Sequence, residues 1–113
     1  MDKIISLKYN SQFKKLYSKG ESYVSPFFAV YVKRNGCRIN RLGITAGKKI
    51  GNAVTRNRAK RRLRELYRLN TPYMKQGFDF VIVARFRTAT AAASKLDSDF
   101  RRLLKEAEVL RDA

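Results

Sequence analysis

The chain has 113 residues, with 26 Lys or Arg against 9 Asp or Glu, a formal charge of +17, seven Phe, six Tyr, one Cys and no His. This apolar content is too high for disorder driven by low hydrophobicity, and the length fits a single domain spanning residues 1–113. The missing His excludes His-based acid–base catalysis, a Ser-His-Asp triad and any His-containing zinc site, and the lone Cys37 excludes an internal disulfide or a Cys-rich zinc cluster.

In chain order, Asn10 is placed to cap a helix running through Lys19, with Gly20 as its stop. Phe13, Leu16 and Tyr17 share a face of it at helical spacing, while Lys14, Lys15 and Lys19 lie elsewhere. Glu21–Val24 and Phe27–Lys33 read as strands split by Pro26. In the second, Phe28, Val30 and Val32 point one way and Phe27, Ala29 and Tyr31 the other. Asn35-Gly36 signals a hairpin turn, so Leu42–Ala46 is expected to return against that strand with Leu42 and Ile44 buried. Gly47–Gly51 is a Lys-rich loop, and Asn52 caps a long helix that reaches about Leu69 and is ended by Pro72. Phe78–Ala84 is nearly all apolar, as expected of a central strand covered on both faces. The last helix opens on Ser94 and Asp97, a capping-box-like pair, and buries Leu96, Phe100, Leu103, Leu104 and Ala107. The order α-β-β-β-α-β-α predicts an α+β sandwich of about three helices on one four-stranded sheet.

A compact domain with this much positive charge repels itself unless a polyanion neutralises it. Counterion release favours nucleic acid over a membrane surface. No apolar run approaches a membrane-spanning length, the first residues lack a signal-peptide core, and the single thiol suits a reducing cytoplasm. The carboxylates are scattered, the closest being Asp97 with Asp99 and Glu106 with Glu108, whereas a two-metal nuclease gathers several around its ions. No catalytic residue and no metal ligand is therefore assigned.

The most informative stretch runs from Lys48 to Glu65. At about 100° per residue, Ala59, Leu63 and Leu66 gather on one side of the helix. Asn57, Lys60, Arg61, Arg64 and Arg68 gather on another, with Arg58 and Arg62 as a flanking pair. Glu65 is the only acid of this helix. A face that merely keeps a protein soluble mixes both signs at i,i+4 spacing, and this one does not. Guanidinium forks match phosphate oxygens and Asn adds contacts to base edges or 2′-hydroxyls. Charge alone does not choose RNA over DNA, since a basic helix also fits a DNA major groove.

The run Gly43–Glu65, GITAGKKIGNAVTRNRAKRRLRE, resembles the signature of the bacterial ribonuclease P protein family, with Arg56-Asn57-Arg58 matching its Arg-Asn-Arg core. The likeness extends to the Phe13–Tyr17 helix, the Phe28–Tyr31 and Val81–Arg85 strands and the closing helix, and is weak after Thr88. The resemblance implies a four-stranded mixed sheet in which the strands near Leu42–Ala46 and Phe78–Ala84 are parallel neighbours. Their crossover through the basic helix would be left-handed, against the general preference for right-handed connections.

It further implies an RNA-binding subunit that pairs one-to-one with a catalytic RNA, requires no other protein, and assists removal of the 5′ leader from precursor tRNA. Hydrolysis would belong to the RNA and its Mg²⁺ ions. By the same resemblance, Lys48, Lys49, Asn52, Arg56, Asn57, Arg58, Lys60, Arg61 and Arg64 would face the catalytic RNA. Phe13, Lys14, Tyr17 and Tyr31 would hold the leader, whose bases can stack on the rings without demanding a sequence. Core packing is the better reading for Phe28, Phe80 and Phe100, whose neighbours are apolar. Tyr23 and Phe27 are further candidates for the cleft. The alternatives are a ribosomal or DNA-binding module, which would copurify with ribosomes or DNA, and a protein-only nuclease, which would cleave without RNA.

Overall fold

The computed structural model describes residues 4–111. Helix α1 spans Asn10–Lys19, with Tyr9 rather than Asn10 at the cap position. The amide oxygen of Gln12 does the capping, accepting from the backbone N–H of Lys8 and Tyr9 at 2.8 and 2.9 Å. Gly20 ends the helix in an extended conformation, so no left-handed stop is involved. It is needed for space, because a Cβ there would lie 2.6 Å from the Leu16 carbonyl oxygen.

Strands β1 (Glu21–Val24), β2 (Phe28–Arg34), β3 (Arg41–Thr45) and β4 (Phe78–Ala84) form one sheet in the order β1-β2-β4-β3. β4 runs antiparallel to β2 and parallel to β3. The hairpin expected at Asn35-Gly36 does not form, because β4 lies between β2 and β3. The connection must span two strand spacings, about 9.5 Å, which a two-residue turn cannot do. Asn35 instead organises a wider arch: its amide donates to Ile39 O at 2.9 Å and Asp79 Oδ1 at 3.0 Å, while its side-chain oxygen accepts from Cys37 N–H at 2.7 Å. Asn40 ties the arch to the start of β4, accepting from Phe78 N–H at 2.9 Å. The most apolar strand thereby takes the central place, where both faces are covered.

Helix α2 (Ala53–Asn70) connects β3 to β4, and α3 (Ala93–Glu106) closes the fold. Both pack on one sheet face, where Ala59, Leu63, Leu66, Leu96, Phe100 and Leu103 meet Phe28, Val30, Val32, Leu42, Phe80 and Ile82. The rings of Tyr67 and Phe80 meet edge-on at 5.7 Å. Ser94 is not the cap of α3, whose cap position is Ala92. Asp97 instead accepts from the buried Asn70 amide at 3.0 Å and pairs with Arg101 at 3.1 Å, stapling α3 to the end of α2. Ala107 falls just past the helix and is half-buried.

The opposite sheet face carries α1. Leu16 packs there on Leu7 and Val81, flanked by Phe13, Tyr31 and Val83. The segment before α1 hydrogen-bonds along β3, with Leu7 N–H to Leu42 O at 2.9 Å and Leu42 N–H to Ile5 O at 2.8 Å, and so covers that edge.

Candidate nucleic-acid interface

Two chemically different surfaces emerge, one on each side of the sheet. The first belongs to α2 and the turn before it. Lys48 and Lys49 sit in a 3-10 turn, Lys48–Ile50, whose Ile50 is buried in the core so that both lysines are held outward. The turn ends at Gly51, whose φ of +141° suits only glycine. Asn52 then caps α2, its side-chain oxygen accepting from Thr55 N–H at 2.9 Å, which leaves its amide N–H groups to offer. Asn57, Arg58, Lys60, Arg61 and Arg64 are exposed along the helix, with Arg56 half-buried at its first turn. Among the described residues none of these cations has an ion-pair partner. Glu65 is held by Arg68 at 2.7 Å, and that guanidinium keeps its carboxyl below the usual range. The helix's single acid is therefore spent on Arg68, at the far end of the face, and pairs with none of its other cations.

Arg62 departs from its expected role as a partner of Arg58 on the flank. Its guanidinium turns inward and donates to the carbonyls of Thr88, Ala89 and Ala91 at 3.1, 2.9 and 2.5 Å. Those three acceptors lie 26 to 29 residues away, so helical periodicity has no access to the contact.

The second surface lies between α1 and the open sheet face. The register aligns Ser22, Tyr31, Val81 and Gly43 in one row and Val24, Ala29, Val83 and Thr45 in the next. Tyr17 from α1 meets Tyr31 edge-on with ring centroids 4.9 Å apart, and Tyr17 remains 42 % exposed. The tip of the Phe13 ring rests over β3, where a Cβ on Gly43 would come 2.5 Å from its Cζ. Phe13, Tyr17 and Tyr31 are thus brought together as expected, with exposed Lys14 on the same helix. Tyr23 and Phe27 do not join them, for both pack against the cluster on the other sheet face. The Tyr23 hydroxyl donates to Glu21 at 2.6 Å, a bond that pushes its pKa up to about 12.

Gly43 is a built-in clearance for Phe13. Gly43→Ala should displace the ring and destabilise the protein by about 1–3 kcal/mol through overpacking. Thermal unfolding and near-ultraviolet circular dichroism would show this, and unchanged values for both would mean that Phe13 is not seated on β3.

Among the described residues no three His, Cys, Asp or Glu side chains are grouped to hold a metal ion. Asp79, the one buried carboxylate among the described residues, is engaged by Arg41 and Asn35. The two surfaces offer donors and rings suited to a polyanion with exposed bases.

A family model described as Ribonuclease P matches residues 1–108. The ribonuclease P protein component of Natranaerobius thermophilus is 45 % identical over 111 residues, covering 98 % of this chain and 96 % of that protein. Among solved structures, the RNase P protein of Staphylococcus aureus superposes with a TM-score of 0.83 at 32 % identity, covering 96 % of this chain and 100 % of that one. The RNase P protein of Thermotoga maritima gives 0.80 at 30 % identity, covering 89 % and 96 %. Overlays of this quality require the same strand order and the same hand of the β3–α2–β4 crossover in all three molecules.

Proposed function

The chain belongs to the ribonuclease P protein family, and from that membership we propose that it is the protein subunit of a bacterial ribonuclease P. It binds a catalytic RNA through α2 and the leader of precursor tRNA through the aromatic cleft. The observation that carries this reading is the separation of the two surfaces by the sheet: unpaired cations on one side, three clustered rings on the other. Lys48, Lys49, Asn52, Arg56, Asn57, Arg58, Lys60, Arg61 and Arg64 contact phosphates and 2′-hydroxyls of the catalytic RNA. Phe13, Tyr17 and Tyr31 stack on leader bases while Lys14 follows their phosphates.

The protein's part in the reaction is positional and electrostatic. Its charge screens the repulsion between two RNAs, and the cleft holds the leader so that the scissile phosphate stays at the RNA's own site. Mg²⁺ supplies the chemistry from that RNA site, and no carboxylate of this chain is assigned to it. The partnership is one-to-one, needs no other protein and operates in the cytoplasm; among the described residues no helix is long and apolar enough to cross a membrane.

Paired substitutions separate the surfaces. Arg58→Ala with Arg61→Ala should weaken catalytic-RNA binding and flatten its salt dependence by about one unit of slope per lost phosphate contact. Phe13→Ala with Tyr31→Ala should leave that binding intact and weaken holoenzyme affinity for leader-bearing precursor by about 1–3 kcal/mol per unstacked base. Filter binding with matched thermal unfolding reads both. Loss of catalytic-RNA binding alone from both pairs would overturn the two-surface reading.

A further inference from the structure

Phe86 is the most exposed large apolar residue of the described chain, at 76 %. It stands between Arg85 and Arg87 just beyond β4, and among the described residues neither arginine has an ion-pair partner. An aromatic ring left in water contributes nothing to folding, and a mobile loop would let it collapse onto the surface. This loop is not free to move. Thr88 is fully buried, its hydroxyl donating to the Phe27 carbonyl and accepting from Arg85 N–H at 3.0 Å. Arg62 grips the carbonyls of residues 88, 89 and 91 from α2. On the other side, the Ser25 hydroxyl accepts from the N–H groups of Phe27 and Phe28 at 3.0 and 3.3 Å, fixing the β1–β2 turn. The ring is therefore presented by a pinned frame.

Its surroundings are those of a nucleic-acid contact. Pro26, Lys49, Ile50, Arg85, Phe86 and Arg87 line an open recess of about 400 Å³. The recess lies at the end of the sheet reached by continuing along the cleft floor past Ala29, Val83 and Thr45. From the Tyr31 row to Arg85 is four residues of strand, or about 13 Å. That distance suits a few nucleotides of extended single strand.

We propose that Phe86 is an outer base-stacking platform for the precursor leader, with Arg85 and Arg87 holding the phosphates on either side. This rests on the reading of the Phe13–Tyr17–Tyr31 cleft as the inner leader site, and it extends the bound segment beyond that cleft. It also gives Arg62 a purpose as a positioning residue: it fixes the platform relative to the cationic helix without touching RNA. Stacking on a ring is tolerant of sequence, so the platform confers preference for leader length rather than leader sequence.

The test uses holoenzyme reconstituted with a bacterial ribonuclease P RNA and a series of precursors whose leaders lengthen one nucleotide at a time. Phe86→Ala should leave short-leader affinity unchanged and lower long-leader affinity by roughly 5- to 100-fold, the scale of one lost stacked base. Phe86→Trp should restore it. A fluorescent adenine analogue placed along the leader should lose its quenching in Phe86→Ala at the outer positions only. An equal loss on leaderless substrate, or no loss at any length, would overturn the platform. Phe13→Ala with Tyr31→Ala, run in parallel, distinguishes the two failures: a leader-dependent loss there with none at Phe86 leaves the inner site standing. No leader dependence in either removes both.

Discussion

Incubated with labelled precursor tRNA, the isolated protein should leave the substrate intact, whereas the same protein with a bacterial ribonuclease P RNA should cut at the mature 5′ end. The expectation starts from the side chains. The chain has no His to exchange a proton near neutrality, and its single Cys is exposed without a base to activate it. Its buried carboxylate is held in a bidentate ion pair. What the protein offers is charge and shape. The RNA alone should therefore cleave at high Mg²⁺, and adding protein should lower that requirement by supplying screening that the ion otherwise provides. At low Mg²⁺ and low salt the protein should raise cleavage by on the order of 10- to 1,000-fold, the range over which a focused positive field raises association rates. Leader-bearing substrate should gain more than leaderless substrate. Time courses of protein, RNA and both, across Mg²⁺ concentration, decide the matter. Cleavage at the mature end by RNA-free protein, or no protein effect at low Mg²⁺, would falsify the assignment of roles.

The largest stability effect is expected at Asp79. It sits in the central strand with its side chain 10 % exposed, between Lys33 of β2 and Arg41 of β3. Its oxygens accept from Arg41 Nε and Nη2 at 2.7 and 2.8 Å and from the Asn35 amide at 3.0 Å. The bond to Asp79 raises the pKa of Arg41, and the intrinsic basicity of a guanidinium keeps it charged even when that partner is removed. Asp79→Ala strands that charge beside the sheet and leaves the Asn35 amide short of an acceptor. The cost should be about 3 kcal/mol, the low end for a broken buried pair, because the Arg41 side chain keeps 26 % exposure and some access to water. Urea titration should show a lower midpoint at an unchanged slope. Adding Arg41→Met to Asp79→Ala should recover much of the loss, since removing both charges leaves nothing uncompensated. If the double variant were as unstable as the single one, the ion pair would not be the cause.

Much of the fold is local, and local features were legible. Alternation along Phe28–Val32 placed those side chains on opposite faces, and Phe28, Val30 and Val32 do join the main core. The Asn52 cap, the buried stripe of Ala59, Leu63 and Leu66 and the apolar run Phe78–Ala84 all depend on neighbours a few residues away. Such neighbours fix the period and the face of an element. The basic face of α2 was legible for the same reason: charges at i,i+3 and i,i+4 share a side of any helix. Membership of the family was written in one long motif, Gly43–Glu65.

Tertiary structure decided what depends on distant partners. The hairpin signal at Asn35-Gly36 was real as a turn, with Gly36 at φ +74°, yet β2 and β3 are parted by a strand that arrives more than thirty residues later. A local turn preference is worth little against the covering of β4 on both faces and along both edges. Asn10 and Ser94 had the chemistry of caps, but Tyr9 and Ala92 hold those places, and the capping contact of α1 comes from Gln12. Arg62 looked like its neighbours in the basic run and was taken inward by carbonyls 26 to 29 residues on. Asp79 was one polar residue in an apolar strand until Arg41 and Asn35, 38 and 44 residues away, closed around it. Tyr23 and Phe27 were indistinguishable from Tyr31 as aromatic residues; the register sets Tyr23 opposite Val30 of the main core, and Phe27, expected by alternation on the side of Tyr31, falls just before β2 and packs on that core instead. The sequence by itself determined the elements, their faces and the charge they carry, because those follow from backbone periods. Which strand lies between which, which cation is free and which rings share a cleft were decided by packing, because those depend on contacts that only the closed chain brings within reach.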